Sequence, residues 1–402
     1  MLENIVSWDR ENPSSFVYED HRSRVLGRKD YGANLVVPIK GVAMKVYGGP
    51  RSFFCYQSLP GMIPLYFVID GNTIHCSHSL FAMRELVGQR GLKIKDIMQC
   101  KEGVAYHFSA KGLRRYVVDT WDWHLHTAQP IDKAGDRLLE LLVQAAEPLK
   151  GKKVLTLISG GTDGILTAYA LKLAGVEQHC VCVGRTEEDF DPKFARKYAE
   201  QLGLSYEMLS LPESNEDLQE LLEDALRAIE MADFSNVLMG MCNVMIAQWA
   251  KERGFEAVAN ADLADVILGN DILTTGSFNK KHEGQGTAKQ WAEYRVNDQL
   301  RTLPTNLQIF KAFEFNDLPV YQLFGDREVI EFMLGLSMEV TPSKHIKPLY
   351  YEILNRVLPE NSWGDTGKKV GYYTGSGIGS IRLENPVLKD ANIRSTFQSI
   401  CP

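Results

Sequence analysis

No run of about 18 apolar residues occurs in the 402 positions, so no membrane-spanning helix is expected. The opening stretch, MLENIVSWDRENPSS, lacks the basic start and apolar core of a signal peptide. Positive charge is in deficit, with 44 Lys and Arg against 51 Asp and Glu and a formal net charge of -7. A general nucleic-acid binder usually carries a basic stripe, so neither nucleic acid nor membrane is expected as a partner. Cysteine is sparse: the seven are odd in number and scattered, and Cys180-x-Cys182 lies inside an apolar run, a poor zinc signature. A cytoplasmic protein with reduced thiols is the expectation. Internal repeats and low-complexity tracts are also missing.

What is present is material for two cores. The sequence is 45% hydrophobic and 24% charged, and its length suits two domains. Residues 33–120 carry β-branched and aromatic runs broken by Gly, Pro and Asn turns, the pattern of half-buried antiparallel strands. From Pro130 the pattern changes. A helical stretch (IDKAGDRLLELLVQAAEPLKG) precedes the strand KKVLTLIS, and strands then alternate with helices through HCVCVG, SYEMLSL and FEAVANA. That alternation predicts βαβ crossovers and a parallel sheet. The boundary falls near residue 128, giving a β-rich domain over 1–128 and an α/β domain over 129–402. The last hundred residues read as helices and loops.

The segment that carries chemistry is Ser159-Gly160-Gly161-Thr162-Asp163-Gly164. A buried strand ends in a glycine turn and feeds a helix. The carboxyl ends of strands in open α/β sheets are where ligands sit, and a helix N-terminus presents free N–H groups and a positive dipole end to phosphate. Asp163 would face the same place, where a carboxylate beside polyphosphate suits Mg²⁺.

Ser159–Gly164 resembles the SGGxDS pyrophosphate loop of N-type ATP pyrophosphatases, and the surrounding chain is similar to the asparagine synthetase family. Asn260-Ala261-Asp262-Leu263-Ala264-Asp265-Val266-Ile267-Leu268-Gly269 looks like its GDGADELFGG segment. Phe324–Phe332 resembles PFLDxxLVEF, and Lys369-Val370-Gly371-Tyr372 matches K-x-G-[FY]. Pro64–Phe67, Asp70-Gly71, Ser77–Ser79 and Tyr116 to Asp122 look like the second half of a class II glutaminase domain. The fold so implied is a PP-loop ATP pyrophosphatase domain with a parallel sheet, preceded by a degenerate, β-rich Ntn-hydrolase-like domain.

The departures narrow the resemblance. A class II glutaminase uses an N-terminal Cys; residue 2 is Leu and the first cysteine is Cys55, so glutamine hydrolysis is not expected. That points to the branch of β-lactam and carbapenam synthetases, whose K-x-G loop also runs into G-S-G, as in Lys369–Gly377. The Tyr of β-lactam-forming relatives is replaced here at about Asp262, the Ser of SGGxDS by Gly164 and the Glu of GDGADE by Val266.

The resemblance implies an AMP-forming amide ligase acting on a small-molecule carboxylate and an amine, in the making of a small natural product, with ATP and Mg²⁺ as cofactors. Ser159, Gly160, Gly161, Thr162, Asp163 and Gly164 would bind pyrophosphate. Val181 and Val183 would border the adenine, and Asp163 and Asp265 would ligate the metal. Lys369 would stabilise developing negative charge, with Asp262 or Glu293 as base. An ammonia-using asparagine-synthetase-like enzyme and a non-catalytic scaffold are the alternatives, and a homodimer is compatible with either. Lys344 and Lys347 either face a substrate anion or, as expected, lie on a solvated helix face, and Glu187, Glu188, Asp189 and Asp191 form an exposed cluster at a helix start.

Overall fold

The computed structural model describes residues 6–9, 16–19, 28–31, 35–38, 44–48, 52–57, 64–109, 111–117, 121, 123–125, 130–268, 278, 280–282, 286–296, 311–336, 347–358 and 375–401. Lys344 and Lys369 lie outside them.

The N-terminal part holds two antiparallel sheets. One orders β1 (Val6–Asp9), β8 (Thr73–Ser77), β7 (Tyr66–Asp70) and β9 (Met98–Gln99) as β1-β8-β7-β9. The other runs β11-β10-β6-β5-β2, from β2 (Phe16–Glu19), β5 (Met44–Gly48), β6 (Ser52–Gln57), β10 (Val104–Ser109) and β11 (Gly112–Val117). A separate hairpin pairs β3 (Arg28–Tyr31) with β4 (Leu35–Pro38). Period-two alternation divides β7 between two cores. Phe67 joins Phe53, Cys55, Ile74, Cys76 and Phe108 between the sheets, while Tyr66 and Val68 face α1 (Leu80–Gln89) through Met83, Leu86 and Val87.

The C-terminal part is mixed α/β around a five-stranded, all-parallel sheet in the order β14-β13-β12-β15-β16. These strands are β12 (Lys153–Leu157), β13 (Glu177–Val183), β14 (Ser205–Leu209), β15 (Ala257–Asn260) and β16 (Val320–Gln322). From β12 the chain moves outward through α3 (Thr162–Leu173) and α4 (Phe190–Gln201). It then returns through α5 (Asn215–Ile229) and α6 (Phe234–Glu252) to the other side of β12. The strand order therefore reverses between β12 and β15, the crevice where such sheets bind ligands. The short strand β16 is the sheet element missed by the expectation of helices and loops in the last hundred residues. The first helix of this part, α2 (Ile131–Ala146), begins after Pro130.

The two parts meet at a buried ion pair. Glu230, which ends α5 with a left-handed φ of 55°, accepts hydrogen bonds from the N–H groups of Leu80 (2.8 Å) and Phe81 (3.2 Å) and from the Ser79 hydroxyl. Its carboxylate also pairs with Lys311, whose Nζ donates to the His78 carbonyl. One carboxylate from the α/β part thus satisfies the start of α1 in the β-rich part.

Candidate functional site

β12 ends at Leu157, and Ser159-Gly160-Gly161 turns the chain into α3, whose start has no side-chain cap. The N-cap is Gly161, which has no side chain to close the first turn, and the turn lies at the carboxyl end of β12. Gly164 explains itself by space. A Cβ there would lie 3.1 Å from both the Ile158 Cα and the Leu157 carbonyl, so glycine lets α3 pack against the strand end. Neither Gly160 nor Gly161 offers an open donor, which corrects the expectation that both bind pyrophosphate: the Gly160 N–H donates to Asp191 at 3.3 Å and the Gly161 N–H to the Ser159 hydroxyl at 3.1 Å.

Across the crevice, β15 runs into Asp262 and α7 (Ala264–Leu268), which carries Asp265. The link between the two sides is Lys347. Its Nζ lies 2.5 Å from each carboxylate oxygen of Asp163 and 2.5 Å from Oδ1 of Asp265. Lys347 is buried, which corrects the expectation of a solvated helix face. It sits immediately before Pro348, the first residue of the helix Pro348–Leu354. Burial works against its charge, but the Asp163 and Asp265 carboxylates hold the ammonium above the ordinary lysine range. Burial and the same carboxylates push the Tyr350 phenol well up, and its hydroxyl donates to the Ala264 carbonyl at 3.1 Å.

Asp262 is exposed to solvent. Desolvation by the surrounding protein, with the charges of Asp265 and Asp163, raises its carboxyl from 3.8 to about 7. Desolvation and like charge both disfavour the ionised carboxyl, so both act in the same direction. α7 itself is anchored from behind by the buried Arg295, which donates to the carbonyls of Ile267 (2.8 Å), Met333 (2.9 Å) and Leu334 (2.9 Å). Desolvation lowers its guanidinium to about 9.

The remaining expected residues fall elsewhere. Glu293 is exposed on the helix Ala288–Tyr294 and pairs with Lys289 at 3.9 Å, so as an expected base it is placed on a solvated face. The Val181 carbonyl accepts the Ile158 N–H at 3.0 Å and is spent within the sheet. Val183 ends β13, beside Gly184. Of the acidic cluster, Glu188 is exposed but Asp191 is buried, a correction, and desolvation raises its carboxyl to about 6. A Cβ on Gly375 would meet Asp191 Oδ2 at 2.6 Å, and the Arg185 N–H donates to the Ser376 carbonyl at 2.9 Å. The described end of the Gly-rich stretch is therefore docked over the β13–α4 turn.

Lys347 could be read as facing a substrate anion but not as bridging Asp163 and Asp265, and Asp191 was not legible as a site residue. Neither stands in a local pattern that distinguishes it from a surface charge, and only the fold brings each to the loop.

Asp163 and Asp265 bring hard oxygen donors from two elements to one point, which the Lys347 ammonium holds; a divalent cation there would have to share those oxygens with Lys347 or displace it. Among the described residues no group of three or more His, Cys, Asp or Glu is arranged to hold a metal by itself. Mg²⁺ is commonly held by one or two carboxylates completed by substrate phosphates and water.

No protein-family model matches this sequence, and no curated protein matches it. Among solved structures, the chain is similar to glutamine phosphoribosylpyrophosphate amidotransferase from B. subtilis, at 10% identity and TM-score 0.18. That alignment covers 42% of this chain and 48% of the amidotransferase, so the chain spans about half of that relative's length. It is also similar to the NH3-dependent NAD synthetase of Campylobacter jejuni, at 12% identity and TM-score 0.30, over 68% of this chain and 95% of the other. The U34-tRNA thiolase of Methanococcus maripaludis aligns at 13% identity and TM-score 0.30, over 70% and 89%.

Proposed function

We propose that this chain is an ATP-dependent, AMP-forming carbon–nitrogen ligase of the asparagine synthetase type. It activates a substrate carboxylate as an acyl-adenylate and couples it to an amine in the making of a small natural product. The observation that carries this reading is the convergence of Asp163 and Asp265 on one cationic point, at the switch point of a parallel sheet, below an uncapped helix start.

Asp163 and Asp265 would hold Mg²⁺ together with the ATP phosphates, and the ion would draw negative charge off the triphosphate. Backbone N–H groups at the start of α3 would orient the leaving pyrophosphate. Lys347 supplies a fixed positive charge in a buried place, where charge developing on the leaving group is poorly screened by water. This is the role expected of Lys369, and the two lysines share it in this reading. Asp262, with a carboxyl near 7 and access to solvent, takes the proton of the incoming amine. In this reading the amine does not come from glutamine hydrolysed by this chain; Cys55, Cys76 and Cys100 of the β-rich part are all buried in its core.

The test is turnover of radiolabelled ATP with a panel of amino and keto acids. AMP and pyrophosphate forming only with one carboxylate class support the ligase; ATP left intact across the whole panel, with undiminished ATP binding, supports a scaffold.

A further inference from the structure

Three thiols of the β-rich part converge in its core. Cys55 comes from β6 of the five-stranded sheet, Cys76 from β8 of the four-stranded sheet, and Cys100 directly follows β9. All three are buried, with exposures of 0%, 1% and 2%. The Sγ atoms of Cys55 and Cys100 lie 3.5 Å apart in a thiol–thiol hydrogen bond, and Cys76 makes a second one to Cys55. Around them stand Phe53, Phe67, Ile74 and Phe108.

Buried cysteines pack as small hydrophobes, so packing alone accounts for each thiol singly; what sets these apart is that three sulfurs meet at one point. What the arrangement does offer is a pair of sulfurs 3.5 Å apart, one from each sheet. We infer that Cys55 and Cys100 form an oxidisable dithiol, converted by hydroperoxide into a disulfide that ties the two sheets together.

Desolvation opposes ionisation of Cys55, but the hydrogen bonds from Cys100 and Cys76 outweigh it and lower its thiol to about 6. Burial pushes the thiols of Cys76 and Cys100 well up. Cys55, the one sulfur that both of the others hydrogen-bond, is the attacking thiolate in this proposal. Its sulfur attacks one oxygen of hydrogen peroxide, the O–O bond breaks, and a sulfenic acid forms while hydroxide leaves and is protonated to water. The Cys100 sulfur then attacks that sulfenic sulfur. The S–O bond breaks, the S–S bond forms, and hydroxide leaves with the Cys100 proton as a second water. Each sulfur gives up one electron, and the peroxide takes both. A peroxide molecule is small enough to enter by local opening of the sandwich, whereas a bulky disulfide is not.

The other thiols set the contrast. Cys180, Cys182 and Cys242 are buried in the other core. Cys401 is half-buried and accepts a hydrogen bond from Arg84 Nη1 at 2.6 Å, so it is the competing peroxide target.

The test is incubation of the folded full-length chain, wild type and Cys401→Ser, with hydrogen peroxide. Denaturing alkylation and peptide mapping then follow. The expected result is a mass loss of 2 Da, a Cys55–Cys100 linked peptide, Cys76 still alkylated, and a rise in Tm of several degrees that dithiothreitol reverses. Cys76→Ala should keep the link, and Cys100→Ser should replace it by a sulfenic acid at Cys55 that dimedone traps. Cys55 and Cys100 both remaining alkylatable in the Cys401→Ser chain, or a linkage between any other pair, would overturn the inference.

Discussion

Lys347 and Asp163 stand 184 positions apart in sequence and 2.5 Å apart in space. The same ammonium reaches Asp265, so the loop after β12 and the helix after β15 are joined across the crevice by one buried charge. Removing that charge leaves two carboxylates facing each other. Lys347→Met should lower stability by about 2–3 kcal/mol, less than a fully enclosed pair would lose because Asp265 is more than a third exposed. It should also slow adenylation on the order of 10²–10³-fold. Lys347→Arg should not restore the rate, since a planar guanidinium cannot replace a point charge between two carboxylates. Urea unfolding and single-turnover kinetics check both halves; a Lys347→Met chain with wild-type rate and stability contradicts the bridge.

The Asp262 carboxyl, raised from 3.8 to about 7, predicts a pH profile. A raised carboxyl is protonated below its folded value, so the base form accumulates as pH rises. With saturating ATP, kcat/KM for the amine should climb between pH 5.5 and about 7 and level off above it. Asp262→Asn should lower the plateau and remove the climb. A profile of unchanged shape in the variant would assign the proton to another group.

Gly164 predicts a packing penalty. Because a Cβ would lie 3.1 Å from backbone atoms of Leu157 and Ile158, the neighbour cannot swing aside. Gly164→Ser, although it makes the loop resemble SGGxDS more closely, should cost about 1–3 kcal/mol and weaken nucleotide binding by shifting the α3 start. Differential scanning calorimetry with and without ATP measures both; a stabilised variant with tighter binding would contradict the packing account.

These predictions also mark how far the sequence could be read. The alternation from Lys153 onward is visible because each parallel strand is a short apolar run and each helix keeps its period, and the SGGTDG turn sits where strand gives way to helix. Asp163 and Asp265 could be named from their motifs. Their convergence could not, since it needs the strand order β12-β15. Lys347 and Asp191 looked like surface charges because burial depends on what packs over them. Glu293 misled in the opposite direction: its i,i+4 partner Lys289 is the mark of a solvated helix face. β16, with three residues, is too short for periodicity to reveal.

Glu230 carries a fourth prediction. Glu230→Gln leaves the Lys311 ammonium buried without its counter-charge and should cost on the order of 3–5 kcal/mol. Pairing it with Lys311→Met should recover much of that loss, as removal of a whole buried pair often does. Thermal unfolding of the three variants against wild type decides it. A double variant no more stable than Glu230→Gln would mean that Lys311 is not the group left uncompensated.

The most direct measurement is the product pair from ATP labelled separately at the α- and γ-phosphates, in wild type, Asp163→Asn and Asp265→Asn, across a Mg²⁺ titration. AMP and pyrophosphate should appear in equal amounts in wild type. Each variant should fall tenfold or more, about 1.4 kcal/mol in the barrier, with a higher Mg²⁺ requirement. ADP and inorganic phosphate as products, or rates and Mg²⁺ dependence unchanged in both variants, would contradict adenylation at the Asp163–Lys347–Asp265 site.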